Sequence, residues 1–320
     1  MKLPLSRWFL FGLLGGAAGA ARAEVTLAPL FQDHAVLQRD LEVPVWGWAD
    51  KGEKISVEFR GQKVAVTAGK DGRWSVRLAP MPASTEPADL LVTGKNTVRV
   101  ADVLLGEVWL CSGQSNMEFT VWGPAGSVYR VDHADEEVAG ATFPFIRHFK
   151  VERAPADAPA DTLKGAWMVC SQETVGKFTA VGYFFARDLH RKLGVPIGLI
   201  NSTWGGTPIE SWLPEAELRQ TSAWPAFNVR WQEALKVFPE RQAAYPALDA
   251  AWRQADAEAR AAGKKNPLPW PEPPVGPGTA YAPGALYNGM IAPLVPGALR
   301  GVLWYQGESN VGRAPEYGEL

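Results

Sequence analysis

Between residues 24 and 100 apolar and polar positions alternate with a period of two over short runs. Residues 43–48, 54–59, 63–67 and 74–78 each carry this pattern. Turn clusters separate them at Asp50-Lys51-Gly52, Arg60-Gly61 and Lys70-Asp71-Gly72. Short alternating strands with frequent turns predict a small β-sandwich over 24–100, with residues 95–100 as its last strand.

The pattern then changes. Continuous apolar runs at 107–111, 197–201 and 300–305 read as buried strands. Residues 178–193 have the spacing of an amphipathic helix, stopped by Gly194-Val195-Pro196. Helices between continuous apolar strands predict an α/β layered domain with a mostly parallel sheet over 101–320. Residues 214–263 are rich in Ala, Glu, Arg and Trp and read as helical in pieces, and the Pro- and Gly-dense stretch 266–283 reads as an extended loop. Together, 214–283 predict an insertion at one end of the sheet. Its tryptophans (Trp224, Trp231, Trp252 and Trp270) either line a cleft or pack the insertion in place, and packing is the commoner fate.

A length of 320 residues exceeds what one core usually serves, so two domains are expected. A formal charge of −2 offers no general grip on nucleic acid or an anionic membrane. At the N-terminus, Lys2 and Arg7 form a short basic region before an apolar run over 8–20, followed by Ala21-Arg22-Ala23. The run is shorter than the ~20 residues that span a bilayer. Residues 1–23 therefore predict a signal peptide cut after Ala23, a secreted or periplasmic product, and no stable membrane insertion. Cys111 and Cys170 could form a bridge in an oxidising compartment or remain buried thiols. His34, His133, His148 and His190 show no ligand-like clustering, so neither a metal nor another cofactor is expected.

Three segments place Gly and small polar residues just past an apolar strand, where ligands bind in open parallel sheets. The first is Ser112-Gly113-Gln114-Ser115-Asn116-Met117. A serine at a strand-to-helix turn exposes its hydroxyl and places its own N–H where an oxyanion is favoured, although Ser115 could equally cap a helix. The second, Trp204-Gly205-Gly206-Thr207, has the paired glycines that let a backbone N–H approach a ligand, or that make an ordinary turn. The third, Gln306-Gly307-Glu308-Ser309-Asn310, supplies an acid and hydrogen-bond donors, or a polar network that fixes loops.

In order, Gly-Gln-Ser-Asn-Met, Trp-Gly-Gly-Thr-Pro-Ile-Glu-Ser-Trp and Trp-Tyr-Gln-Gly-Glu-Ser-Asn resemble the sialate O-acetylesterase family of the SGNH hydrolase superfamily. Residues 175–183 and 286–291 share the likeness, which covers roughly 24–320. The resemblance implies a flavodoxin-like three-layer domain and hydrolysis of O-acetyl esters on carbohydrates. It implies Ser115 as nucleophile and an oxyanion hole from the Ser115 N–H, Gly205 or Gly206, and a side chain of the third block. Asn310 is the expected side-chain donor and Ser309 its alternative, because the superfamily's Gly-x-Asn reads Gly-Glu-Ser-Asn here. Glu308 is expected to support a catalytic histidine, and Gln114, Asn116, Trp204 and Gln306 to contact substrate. The motifs fit a sialate esterase and a xylan or xyloglucan acetylesterase alike. A non-catalytic carbohydrate-binding protein is the alternative of another class.

The family's Asp-x-x-His motif is missing: residues 31, 130, 145 and 187, three before each histidine, are Phe, Arg, Phe and Arg. The expectation is a sequence truncated at its C-terminal end, with the histidine beyond it.

Overall fold

A computed structural model describes residues 24–123 and 130–320. The expected signal peptide, 1–23, lies outside the described residues. The strands are β1 (Thr26–Leu27), β2 (Val36–Gln38), β3 (Val43–Trp48), β4 (Lys54–Phe59), β5 (Gln62–Thr67), β6 (Arg73–Leu78), β7 (Ser84–Thr93) and β8 (Thr97–Gly113), followed by β9 (Ile146–Val151), β10 (Gly165–Val169), β11 (Ile197–Thr203) and β12 (Gly301–Tyr305). Strands β1, β3 and β6 form a three-stranded antiparallel sheet. The other nine form one mixed sheet along the path β10-β9-β11-β8-β7-β4-β5, with β2 and β12 also paired to β8.

The 17-residue strand β8 organises the chain. Its first half pairs antiparallel with β7, and its second half lies between parallel β11 and β12. The expected domain boundary at residue 100 therefore falls inside a strand. One apolar cluster likewise joins Val45, Val57 and Leu90 of the first part to Phe149, Trp167 and Met290 of the second. The molecule is a mixed α/β structure in which the two parts share a sheet and a core.

Helices α1 (Ser115–Glu118), α2 (Ala134–Ala139) and α3 (Ala180–Leu193) flank the sheet sequence. In α3, Tyr183 and Ala186 turn inward against Cys111, Ile197 and Leu199. Gly194, at φ 68°, ends it in the left-handed conformation that a Cβ disfavours. His190, Arg191 and Lys192 oppose the negative end of its dipole. Cys111 and Cys170 are buried free thiols, and burial pushes each up to about 12.

The insertion departs from its expected form. After the short α4 (Glu215–Leu218), the pieces merge into one 38-residue helix, α5 (Trp224–Ala261), which continues through Pro239 and Pro246. Each proline removes one ladder hydrogen bond. Good helix formers and i,i+4 pairs such as Arg253–Asp249 and Arg260–Asp256, both 2.7 Å, favour helix on either side. Only Phe227 and Ala259 of α5 are buried. Trp252 meets Trp270 edge-on with ring centroids 4.4 Å apart, and Trp224 packs on Phe227, so these three rings hold the insertion to itself. Among the described residues, no helix is long and apolar enough to cross a membrane.

Strand β12 pairs with β8 along one side, and Val302, Trp304 and Tyr305 are exposed. At its end, the Tyr305 carbonyl approaches Gly113 so closely that a Cβ there would lie 2.1 Å from it, and Gly113 has φ 132°. Gly113→Ala is expected to lower unfolding free energy by at least about 2 kcal/mol, from backbone strain and overpacking. Urea denaturation measures it, and an unchanged midpoint would contradict this account.

Candidate active site

Because β8, β11 and β12 are parallel, their C-terminal ends lie on one edge of the sheet. The three Gly-rich segments leave from that edge and meet there. Trp204 N–H donates to the Gly113 carbonyl at 3.1 Å, and Gln114 N–H to the Tyr305 carbonyl at 3.0 Å. Ser115 is exposed at the start of α1, a single turn with little dipole of its own. A Cβ on Gly205 would lie 3.3 Å from the Ser115 Cβ, so the nucleophile candidate lies against the first of the paired glycines. On the other side of the turn, Asn116 donates to Glu308, and both side chains are exposed.

Gln114 is not a surface contact. It is 2% exposed, and its Oε1 accepts from Gln306 Nε2 at 3.1 Å and from the Gly307 and Ser309 amides at 3.2 Å each. Gln306 donates in addition to the Thr207 carbonyl at 3.2 Å and to Asn310 Oδ1 at 2.9 Å. Both glutamines, expected to touch substrate, instead clamp the three loops together. Gln114 Oε1 and Gln306 Nε2 are both taken up by these bonds, since buried polar groups left unpaired are costly.

The expected oxyanion donors divide in the same way. Asn310 is 2% exposed. Its amide nitrogen donates to Glu210 Oε2 at 2.9 Å, and its oxygen accepts from the Ile209 amide at 3.0 Å. The Gly205 N–H donates to Glu118 Oε2 at 2.8 Å. The Gly205 N–H is therefore not a free donor, and one of the two Asn310 amide N–H bonds is committed. Ser115 and Gly206 N–H have no partner among the described hydrogen bonds, and Gly206, at φ 77°, is exposed. Ser309 and Gly206 both line a cavity of about 310 Å³ that Phe227, Trp231 and Tyr281 also wall. Trp231 is thus the one insertion tryptophan of the four that faces this cleft.

Under the glycine turn lies a charged layer that the motifs do not reveal. Glu118 Oε1 accepts from Arg153 Nε at 3.1 Å and Nη2 at 2.5 Å. The Arg153 guanidinium covers the Trp204 ring at 5.3 Å, which makes Trp204 a partner of this layer as much as of a ligand. Lys150 Nζ donates to Thr203 Oγ1 at 2.9 Å and lies 3.9 Å from Glu118. Burial pulls the Lys150 amine down to about 8, against the opposing pull of Glu118.

Residues 105–245 match the family described as carbohydrate esterase, sialic acid-specific acetylesterase. Sialate O-acetylesterase of Rattus norvegicus is 32% identical over 303 residues, 88% of this chain and 52% of that protein. Its Homo sapiens counterpart is 30% identical over 331 residues, covering 97% and 52%. Residues 105–245 thus carry the sialic acid-specific acetylesterase domain. It spans about half the length of the curated relatives it matches. A crystal structure of a carbohydrate acetylesterase from Xanthomonas citri, 35% identical, superimposes with a TM-score of 0.67 over 90% of this chain and 52% of that one.

In this acetylesterase-like chain, each of the four histidines is engaged with partners other than Ser115. His34 pairs with Asp102 and His133 with Glu136, and His190 Nδ1 bonds the Val195 carbonyl. His148 is fully buried and stacked on Phe178 with centroids 4.5 Å apart. Burial, reinforced by Lys150, lowers its imidazole to about 3, so it stays neutral at pH 7.

Two outcomes follow from these geometries. Gln114→Leu removes one acceptor shared by three donors, and is expected to cost about 2–4 kcal/mol in chemical denaturation. The folded His148 has the lower proton affinity, so its contribution is present above the unfolded value of 6.5 and is lost as pH falls toward about 3. Stability should fall over that window by up to ~1.4 kcal/mol per pH unit from this group. His148→Leu should flatten the slope, and an identical pH profile for the variant would refute the assignment.

Proposed function

We propose that this chain forms most of a serine esterase site that removes acetyl groups from carbohydrates. The observation that carries the reading is the exposed Ser115 just past the end of β8, lying against Gly205 and next to Asn116, which donates to Glu308. Ser115 Oγ attacks the acetyl carbonyl as a base takes its proton. The tetrahedral oxyanion is received by the Ser115 and Gly206 N–H groups. Each such donor is worth about 2.7–4 kcal/mol in the transition state. With Asn310 buried and one of its amide N–H bonds given to Glu210, Ser309, which lines the cavity, becomes the side-chain candidate. Collapse expels the sugar hydroxyl, and water then cleaves the acetyl-serine. No cofactor enters the scheme. The base is proposed to be a histidine other than the four described above, with Glu308 as the group that orients it. The product is proposed to be secreted or periplasmic, on the strength of residues 1–23.

The substrate is proposed to be an O-acetylated sugar, whose ring the Trp231 and Tyr281 wall of the cavity suits. The relatives' names favour sialate, and acetylated xylan or xyloglucan is the second candidate.

Acetate release from O-acetylated sialic acid and from acetylated xylo-oligosaccharides tests this in wild type and Ser115→Ala. The 320-residue chain alone is expected to turn over slowly, and added imidazole, acting as an external base, should accelerate it at least about 10-fold. Ser115→Ala should show neither the basal nor the rescued rate. Equal rates in the two proteins would end the esterase proposal. Glycan binding with no acetate release under any condition would favour the carbohydrate-binding alternative.

A further inference from the structure

The Gly205 N–H, an obvious candidate to hold an oxyanion, is already occupied by a carboxylate. Glu118 reaches it from the same turn that carries Ser115, three residues on. The bond is charge-assisted and 2.8 Å long. The other carboxylate oxygen is fixed by two nitrogens of Arg153. Arg153 is in turn laid over Trp204, the residue directly before the glycine pair. Glu118 therefore touches the second loop at one end and, through Arg153, braces it at the other. The Lys150 ammonium adds a second cation 3.9 Å away, itself anchored on Thr203 at the end of β11. Nothing in this arrangement faces the substrate cavity directly. All of it fixes where the backbone of residues 204–206 lies relative to Ser115.

From this, and resting on the esterase reading above, we infer that Glu118 is a positioning residue: by holding the Gly205 N–H it sets the 204–206 turn so that Gly206, and not Gly205, supplies the backbone donor to the oxyanion. The paired glycines then have separate tasks. Gly205 gives its N–H to Glu118 and lies against Ser115, where a Cβ would come within 3.1 Å of the Glu118 carboxylate and 3.3 Å of the Ser115 Cβ. Gly206 takes the positive φ and keeps an uncommitted N–H. Glu118 transfers no proton and contacts no substrate. Its effect is on the transition state, because an oxyanion donor displaced by about 1 Å loses much of its value.

The test compares three variants that separate reach from charge. Glu118→Gln keeps an oxygen at the same distance and loses the charge. Glu118→Asp keeps the charge and withdraws it by one methylene. Glu118→Ala removes both. Imidazole-supported acetate release is measured alongside the ¹H–¹⁵N resonance of Gly205, which reads the contact without any turnover. Glu118→Gln should keep kcat within about fivefold of wild type, while Asp and Ala lose about 10–100-fold in kcat with KM changed less than about threefold. The Gly205 amide proton should move upfield in Asp and Ala, in spectra that remain well dispersed. A merely structural ion pair with Arg153 predicts the reverse order, with Asp active and Gln impaired, and that result would overturn the inference. So would full activity in Asp and Ala with the Gly205 resonance displaced. Absence of acetate release from wild type itself would remove the esterase reading, and the role with it, whatever the Gly205 resonance shows.

Discussion

One carboxamide oxygen governs the geometry of the site. Gln114 Oε1 takes three hydrogen bonds from a segment that begins 192 residues later in the chain. It lies in a nearly dry interior, where leaving even one of those donors unpaired costs about 1–3 kcal/mol. The third loop can therefore occupy only the place that satisfies all three. Once it does, Ser115, the residue next to Gln114, is held at the surface with Glu308 beside its turn. The glycine at 113, pressed against the Tyr305 carbonyl, makes the approach of the two strand ends possible.

Much of the framework could be read from periodicity. The alternating runs became β4, β5 and β6 within a residue of their expected bounds, and the amphipathic stretch became α3. The meeting of three strand-end loops was also legible, since parallel strands must end on the same edge. Strand β8 was not. Its pattern is interrupted at Ala101-Asp102, where Asp102 adopts φ 55°, so it reads as one strand ending and another beginning. Arg147 and His34 hold the Asp102 carboxylate, and they lower its proton affinity against the upward pull of burial. Those contacts are tertiary, and no local window contains them. Helix α5 was misread for the opposite reason: Pro239 and Pro246 are strong local breakers, and the long flanking helical segments override them.

The site shows the same division at finer scale. The sequence identifies the kinds of group that gather at the strand ends, and it does not show how each group is committed. Gln114, Gln306 and Asn310 look like substrate contacts or oxyanion donors when read beside a serine. Gln114 Oε1, Gln306 Nε2 and the Asn310 carboxamide are engaged with one another, with backbone groups and with Glu210. Gly205 and Gly206 are equivalent as letters, and Glu118 makes them different. The layer of Glu118, Arg153 and Lys150 carries no motif that spacing could expose, because its members come from separate elements and meet only in the fold.

Strand β12 carries Val302, Trp304 and Tyr305 outward, and Val311 follows at 78% exposure. Large apolar side chains along a sheet margin invite pairing with any extended polypeptide of similar character. A preparation of these 320 residues would accordingly be prone to self-association during purification, more so at high ionic strength, where the modest net charge of −2 offers little colloidal repulsion.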